Sequence, residues 1–309
     1  MHLLGLHHIT AIASDARRNV DFYTRVLGLR FVKKTVNFDD PGTYHLYYGD
    51  QAASPGTLLT FFLWDGLPRG RSGAGMTSAI AYSVPADALE FWRERLRVHG
   101  VVTAEPTSRL GEKVLTYTDP DGLPLELVGT VEPDPRTPAL HPEVPPGKGI
   151  RGFHGVTLAT GTGGPTAEVL TRDMGYRLAV RDGPRARYTV GVGGPGTYVD
   201  LWTDPALPRG RSGLGTVHHV AFRTPDDAGQ KEARAALATR GFNVSPVMDR
   251  CYFHSIYYQE PGGVLFEIAT DGPGFTVDEP IEALGRQLKL PPWHEAHRRQ
   301  IEANLPRLD

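Results

Sequence analysis

The amino-acid sequence predicts an α+β fold of four βαβββ units, arranged as two domains. Two observations carry that expectation. The first is a near-verbatim internal repeat: Leu67-Pro-Arg-Gly-Arg-Ser-Gly-Ala-Gly75 returns as Leu207-Pro-Arg-Gly-Arg-Ser-Gly-Leu-Gly215, and each copy leads into an apolar strand, 78–84 and 217–222. Such self-similarity calls for a search for a repeat period before any other reading. The second is a pair of adjacent histidines near each end of the chain, His7-His8 and His218-His219.

Used as anchors, the histidine pairs bring out the repeat unit. A short strand in each unit holds His8, Ala79, Gly155 and His219 at equivalent positions, 64–76 residues apart. Behind each strand lies an amphipathic segment: residues 15–27, 86–98, 166–174 and 226–240. Ser14 is the expected N-cap of the first. Each segment runs into a glycine (Gly28, Gly100, Gly175, Gly241), the residue that most readily ends a helix in the left-handed conformation. Three β-rich stretches follow, such as 44–48 and 57–63 in the first unit and 255–258 and 264–269 in the fourth. Residues 131–148 contain six prolines and read as an extended linker. Domains are therefore expected at 1–132 and 150–272, joined by a linker at 133–149. A tail at 273–309 carries a helix from about 293 to 305.

Composition narrows the function classes. The 309 residues are 40% hydrophobic, enough for two sizeable cores. Lys and Arg number 33 against 35 Asp and Glu, so no bulk field draws the chain to nucleic acid or to a membrane. No apolar run approaches 18 residues, and the opening Met-His-Leu-Leu-Gly-Leu-His-His lacks the basic and apolar regions of a leader. With Cys251 as the single cysteine, neither an intrachain disulfide nor a cysteine-based zinc site can form. A cytoplasmic protein is expected, with a homo-oligomer left open. The duplicated Arg-Gly-Arg-Ser-Gly loop lacks the Gly-Lys-Ser/Thr of a phosphate loop and is read as structural. His294 and His297 are read as surface residues.

Four equivalent units give four chances to place a ligand at each position. The first-strand position holds His8, Ala79, Gly155 and His219. A second position, counted six residues past the prolines Pro55, Pro120, Pro195 and Pro261, holds Phe61, Glu126, Leu201 and Glu267. Imidazole and carboxylate are standard ligands for divalent iron, manganese or zinc. Pairing units one and two, or three and four, leaves two ligands each. Pairing one with four collects His8, His219 and Glu267. Two histidines and one carboxylate make the facial triad that leaves coordination positions open for substrate and O₂. Units two and three then retain only Glu126, an empty pseudosite, and one metal per chain is expected.

These features resemble the vicinal oxygen chelate superfamily (glyoxalases, bleomycin-resistance proteins, extradiol dioxygenases). More closely, Gly-Leu-His-His-Ile-Thr at 5–10, Tyr-His-Leu-Tyr-Tyr at 44–48, Arg-Gly-Phe-His at 151–154 and Pro-Gly-Gly-Val-Leu-Phe-Glu at 261–267 resemble the hydroquinone-type ring-cleaving dioxygenases. The resemblance runs from about residue 3 to Leu-Pro-Pro at 290–292. It implies two glyoxalase-like domains with curved, partly closed mixed sheets, a non-haem Fe(II) centre (with Mn(II) as the alternative) on His8, His219 and Glu267, and an aromatic diol and O₂ as reactants. It also implies pocket residues at His7, Thr10, His218, Arg250 and Tyr257. In that reading His7 and His218 are acid–base candidates, Tyr257 a hydrogen-bond donor to bound oxygen and Arg250 a holder of anionic substrate. Phe61 and Tyr47 would wall the ring. Neighbours on an ideal strand face opposite ways, so His7 and His218 can join His8 and His219 only through a twist or bulge. Two other functions remain open: a glyoxalase-like isomerase or lyase, which commonly takes a fourth protein ligand where this chain has Phe61, and a metal-free binding protein of the bleomycin-resistance kind.

Overall fold

The computed structural model describes residues 1–132 and 134–308. The strand–helix–strand–strand–strand order occurs four times, as expected. Unit one contributes β1 (Leu6–Ala13), β2 (Arg30–Asn37), β3 (Asp40–Gly49) and β4 (Leu58–Leu63). Unit two follows with β5 (Met76–Pro85), β6 (Thr107–Arg109), β7 (Glu112–Thr118) and β8 (Pro124–Thr130). Unit three holds β9 (Phe153–Thr160), β10 (Arg177–Asp182), β11 (Arg185–Thr189) and β12 (Tyr198–Thr203). Unit four closes the series with β13 (Thr216–Thr224), β14 (Met248–Asp249), β15 (Phe253–Gln259) and β16 (Leu265–Pro273).

The helices are α1 (Ala16–Asp21), α2 (Leu89–Val98), α3 (Gly164–Glu168), α4 (Asp227–Thr239) and α5 (Arg298–Asn304). Helices α1 and α3 are short because each passes into a π turn, Phe22–Val26 and Val169–Asp173. The predicted glycines end all four units' helical segments with φ between +68° and +85°. The N-cap of α1 is Asp15 and not Ser14: the Asp15 carboxylate accepts from the Arg18 amide, while Ser14 Oγ donates to Asp121 at 2.7 Å. The tail helix arrives as a 3₁₀ segment, Pro292–His297, leading into α5.

Two curled mixed sheets of eight strands result, ordered β14-β15-β16-β13-β1-β4-β3-β2 and β10-β11-β12-β9-β5-β8-β7-β6. The first joins unit four to unit one and the second unit three to unit two. Each sheet therefore takes one unit from either side of residues 133–149, and the strands that meet at the centre of each, β1 with β13 and β5 with β9, run antiparallel. The duplicated loops explain themselves here, because they grip one another. Arg71 and Arg211 exchange backbone hydrogen bonds at 2.8 and 2.9 Å, and Leu214 N donates to Pro68 O just as Ala74 N donates to Pro208 O. A Cβ on Gly73 would stand 2.3 Å from Pro208 O, and one on Gly213 2.5 Å from Pro68 O. Only glycine permits that approach.

The structure corrects the count that placed Phe61 and Leu201 in register with Glu267. Two residues past the first-strand positions, Thr10, Ala81, Thr157 and Ala221 pair across parallel ladders with Thr60, Glu126, Asp200 and Glu267. The proline is the wrong ruler. The turn before each last strand pivots on a glycine with φ near +90° or above: Gly56, Gly122, Gly196 and Gly263. The ligand position lies four residues beyond that glycine in every unit, whereas the proline stands one residue further back in units two and four. Phe61 consequently faces the core, fully buried with its ring 4.7 Å from Tyr23 and 6.0 Å from Tyr48. Phe61→Ala should cost about 3–5 kcal/mol of stability through the cavity it leaves. Denaturant unfolding checks the loss, and the metal content of the purified variant should stay at the wild-type level.

Candidate metal centre

Three adjacent strands carry the predicted ligands to one point. His8 lies on β1, His219 on β13 and Glu267 on β16, and all three are buried. Glu267 Oε2 stands 3.0 Å from His219 Nε2 and 3.3 Å from His8 Nε2, and the two imidazole nitrogens are 3.4 Å apart. Among the described residues this is the one group of three or more His, Cys, Asp or Glu side chains whose ligand atoms gather closely enough to hold a metal.

The carboxylate tests the fit. Its Oε1 accepts a short hydrogen bond from the buried Ser255 hydroxyl, but Oε2 accepts none. A buried carboxylate oxygen left without a hydrogen-bond donor is costly, and a cation shared with two imidazoles removes that cost. Burial pushes the Glu267 acid up, yet His8 and His219 outweigh it and hold the group well below the ordinary carboxylate range. His219 is itself pushed down by burial, which leaves a neutral imidazole with a lone pair to give. Two imidazoles and one carboxylate suit a divalent transition metal.

Beside each ligand sits its neighbour in sequence. His7 Nδ1 lies 2.9 Å from His8 Nδ1, and His218 Nδ1 2.8 Å from His219 Nδ1. Paired registers show how neighbours come together: Leu6 opposes Phe222 and His8 opposes Ala221, so His7 is the extra residue of a β-bulge. Thr10 opposes His219 and Ala11 opposes Val217, which makes His218 the extra residue of a second bulge. Burial holds both His7 and His218 at about 3, so each is neutral at pH 7. When Nε2 of the ligand faces the metal, its Nδ1 carries the proton and donates to the neighbour. That bond sets the tautomer and the ring plane of both ligands.

The cavity before the triad is lined by His45, Tyr47, Phe62, Phe253, Arg250 and Tyr257, together with the hairpin residues Asn37, Phe38 and Asp39. Arg250 Nε donates to Tyr257 Oη at 3.2 Å, and the Tyr257 ring lies 5.7 Å from that of His219. Burial raises the Tyr257 phenol, which stays protonated at neutral pH. Thr10 sits one layer behind: its hydroxyl meets that of Thr60 at 2.7 Å, Thr60 meets His45 Nε2 at 2.9 Å, and Tyr47 Oη meets His45 Nδ1 at 3.0 Å. His45 escaped the sequence reading although it stands inside Tyr-His-Leu-Tyr-Tyr, because only one unit carries it. Cys251 is turned elsewhere, at a left-handed φ of +64°, and burial lifts its thiol to about 11.

In the second sheet the equivalent place is filled by ion pairs. Ala79 and Gly155 supply no ligand, and the carboxylates there are two, Glu126 and Asp200, where the sequence count found only Glu126. Both Arg109 guanidinium ends engage Glu126, and Arg187 holds Asp200 at 2.8 Å while also reaching Glu112. The contrast between equivalent carboxylates is testable. Glu267→Gln should abolish metal retention, whereas Glu126→Gln should leave one metal per chain and cost about 1–3 kcal/mol through the half-lost arginine pair; metal analysis with denaturant unfolding reads both. Replacing His7 or His218 by Phe should weaken the metal about 10–100-fold in chelator competition.

Comparison with known proteins accords with this geometry. Residues 5–127 match the family described as Glyoxalase/Bleomycin resistance protein/Dioxygenase superfamily. "Putative ring-cleaving dioxygenase MhqO" of Bacillus subtilis (strain 168) is 45% identical over 98% of this chain and 96% of its own. The "Chlorohydroquinone/hydroquinone 1,2-dioxygenase" of Sphingobium indicum is 36% identical over 94% and 92%. A crystal structure of a "putative dioxygenase" from Bacillus subtilis superposes with a TM-score of 0.95 at 44% identity, covering 100% of this chain and 98% of that one. Maize glyoxalase I, at a TM-score of 0.64 and 18% identity over 86% and 92%, shares the fold alone. From the paired βαβββ units, the buried triad and these full-length likenesses, the chain belongs to the ring-cleaving dioxygenase family of the glyoxalase/bleomycin resistance/dioxygenase superfamily.

Proposed function

We propose that this protein is a non-haem Fe(II)-dependent, extradiol-type dioxygenase that opens the ring of a hydroquinone-class aromatic diol. The observation that carries the reading is the triad, with its donorless Glu267 Oε2 facing two imidazole nitrogens. Divalent iron held there supplies the open coordination positions and the redox capacity that let O₂ react with a closed-shell aromatic. Mn(II) suits the same donors.

The chain's own groups then have distinct tasks. His7 and His218 fix the ligand histidines through their Nδ1 atoms, a positioning task in place of direct proton exchange with substrate. Tyr257, held protonated and steered by Arg250, is a hydrogen-bond donor in the cavity wall. Burial lowers His45 well below its ordinary value, so it is a neutral imidazole in the same wall, with its two nitrogens engaged by Thr60 and Tyr47. Phe62 and Phe253 provide apolar faces for a ring; Phe253 lies 4.9 Å from His8 and Phe62 6.4 Å from His219, centroid to centroid. Against an isomerase of the glyoxalase kind stands Thr60, which occupies the repeat position of a fourth carboxylate ligand and spends its hydroxyl on Thr10 and His45.

Protein loaded anaerobically with Fe(II) should consume O₂ when mixed with hydroquinone and yield a ring-opened acid, read with an oxygen electrode and mass spectrometry. Isomerisation of a hemithioacetal, with no O₂ uptake from any aromatic diol, would sink the proposal.

A further inference from the structure

Among the described residues, Arg250 is the one Lys or Arg lining the metal cavity. It is also mostly buried, its side chain 16% exposed. A cation in that position would ordinarily select substrates bearing a carboxylate. Here it is already engaged. Arg250 Nη2 donates to Asp39 Oδ2 at 3.0 Å, and Nε is spent on Tyr257.

Asp39 is held in place for this pairing. It sits at the tip of the β2–β3 hairpin, and its own amide donates to Asn37 Oδ1 at 3.0 Å. The tail then braces the hairpin: His294 Nε2 meets Phe38 O at 3.0 Å, Lys289 N donates to Lys34 O at 2.9 Å and Thr35 Oγ1 to Lys289 O at 2.6 Å. Trp293 packs edge-on against Phe38 at 5.7 Å.

We propose that Asp39 is a specificity-determining residue that occupies Arg250 and so turns ring-carboxylated diols away, leaving diols without a carboxylate as the accepted class. The inference rests on the dioxygenase reading above and names the substrate class of the same site. A carboxylate on the ring would have to compete with Asp39 for Arg250 and then sit close to it as a like charge. An uncharged diol meets neither cost. The Asp39 side chain is 63% exposed, so the pair is a discriminator and contributes little to the stability of the fold.

The test uses the full chain loaded with Fe(II), with hydroquinone and 2,5-dihydroxybenzoate as probes. Dissociation constants are measured by calorimetry without O₂, and kcat/KM by O₂ uptake. Asp39→Asn should raise the preference for the carboxylated probe about tenfold in both ratios, the scale of a freed charge-assisted hydrogen bond. The gain should vanish in Asp39→Asn/Arg250→Gln. An unchanged binding ratio in Asp39→Asn overturns the proposal. So does a gain that survives in the double variant, because Asp39 would then act through bulk charge and not through Arg250. If wild-type protein takes up no O₂ with any uncharged diol, the dioxygenase reading fails, while the anaerobic binding ratios still decide the role of Asp39.

Discussion

The antiparallel ladder between β1 and β13 is the constraint on which the rest of the molecule turns. It joins the first strand of the chain to one that begins more than 200 residues later and lays His8 beside His219. An unbroken ladder would have pointed His7 and His218 away from their neighbours. Two bulges, one on each strand, fold those side chains back against the ligands. The same pair of bulges recurs in β5 and β9, where Ser78 and His154 are the extra residues. They are thus a property of the scaffold, and the metal sheet has placed imidazoles in them.

The two sheets are one architecture with opposite electrostatic solutions. Where strands from two units cross, each sheet buries carboxylates in its interior, and a buried anion needs a partner. In one sheet the partners of Glu267 are two imidazoles and the cation they can share. In the other, Arg109, Arg185 and Arg187 neutralise Glu126 and Asp200 directly. His154, at 2.9 Å from Glu112, shows what became of the bulge histidine when no ligand stood next to it. Likeness also runs along the chain in pairs. Units one and three share the π turn and the Pro-Gly turn, units two and four the longer turn, which marks a doubled two-unit half more plainly than four equal copies.

Much of this was legible in the sequence because the repeats keep period and polarity. The helix-ending glycines, the unit order and the union of units one and four all follow from residue type and spacing. The ligand set was legible for a further reason: histidine and glutamate are expensive inside a strand, so their recurrence at matched positions carries information. What failed was a ruler. Proline constrains its own φ, but the turn pivots on the left-handed glycine, and a one-residue slip moves a side chain to the opposite face. Phe61 and Leu201 were lost to the core that way, and Asp200 was missed. Ser14 lost the cap to its neighbour because Asp121, over 100 residues distant, claimed its hydroxyl. His45 occurs in one unit only, and the Asp39–Arg250 pair depends on a contact between distant segments, so neither offers a period to follow.

The gripping loops and the β1–β13 ladder also set an order of events during synthesis. His8 leaves the ribosome early, but its partners on β13 and β16 are among the last strands made. Until residue 219 has emerged the nascent chain holds a single triad histidine, and until residue 267 has emerged it lacks the carboxylate that completes the donor set. A half-made protein therefore carries no complete triad, and the site forms only when both ends of the chain have met.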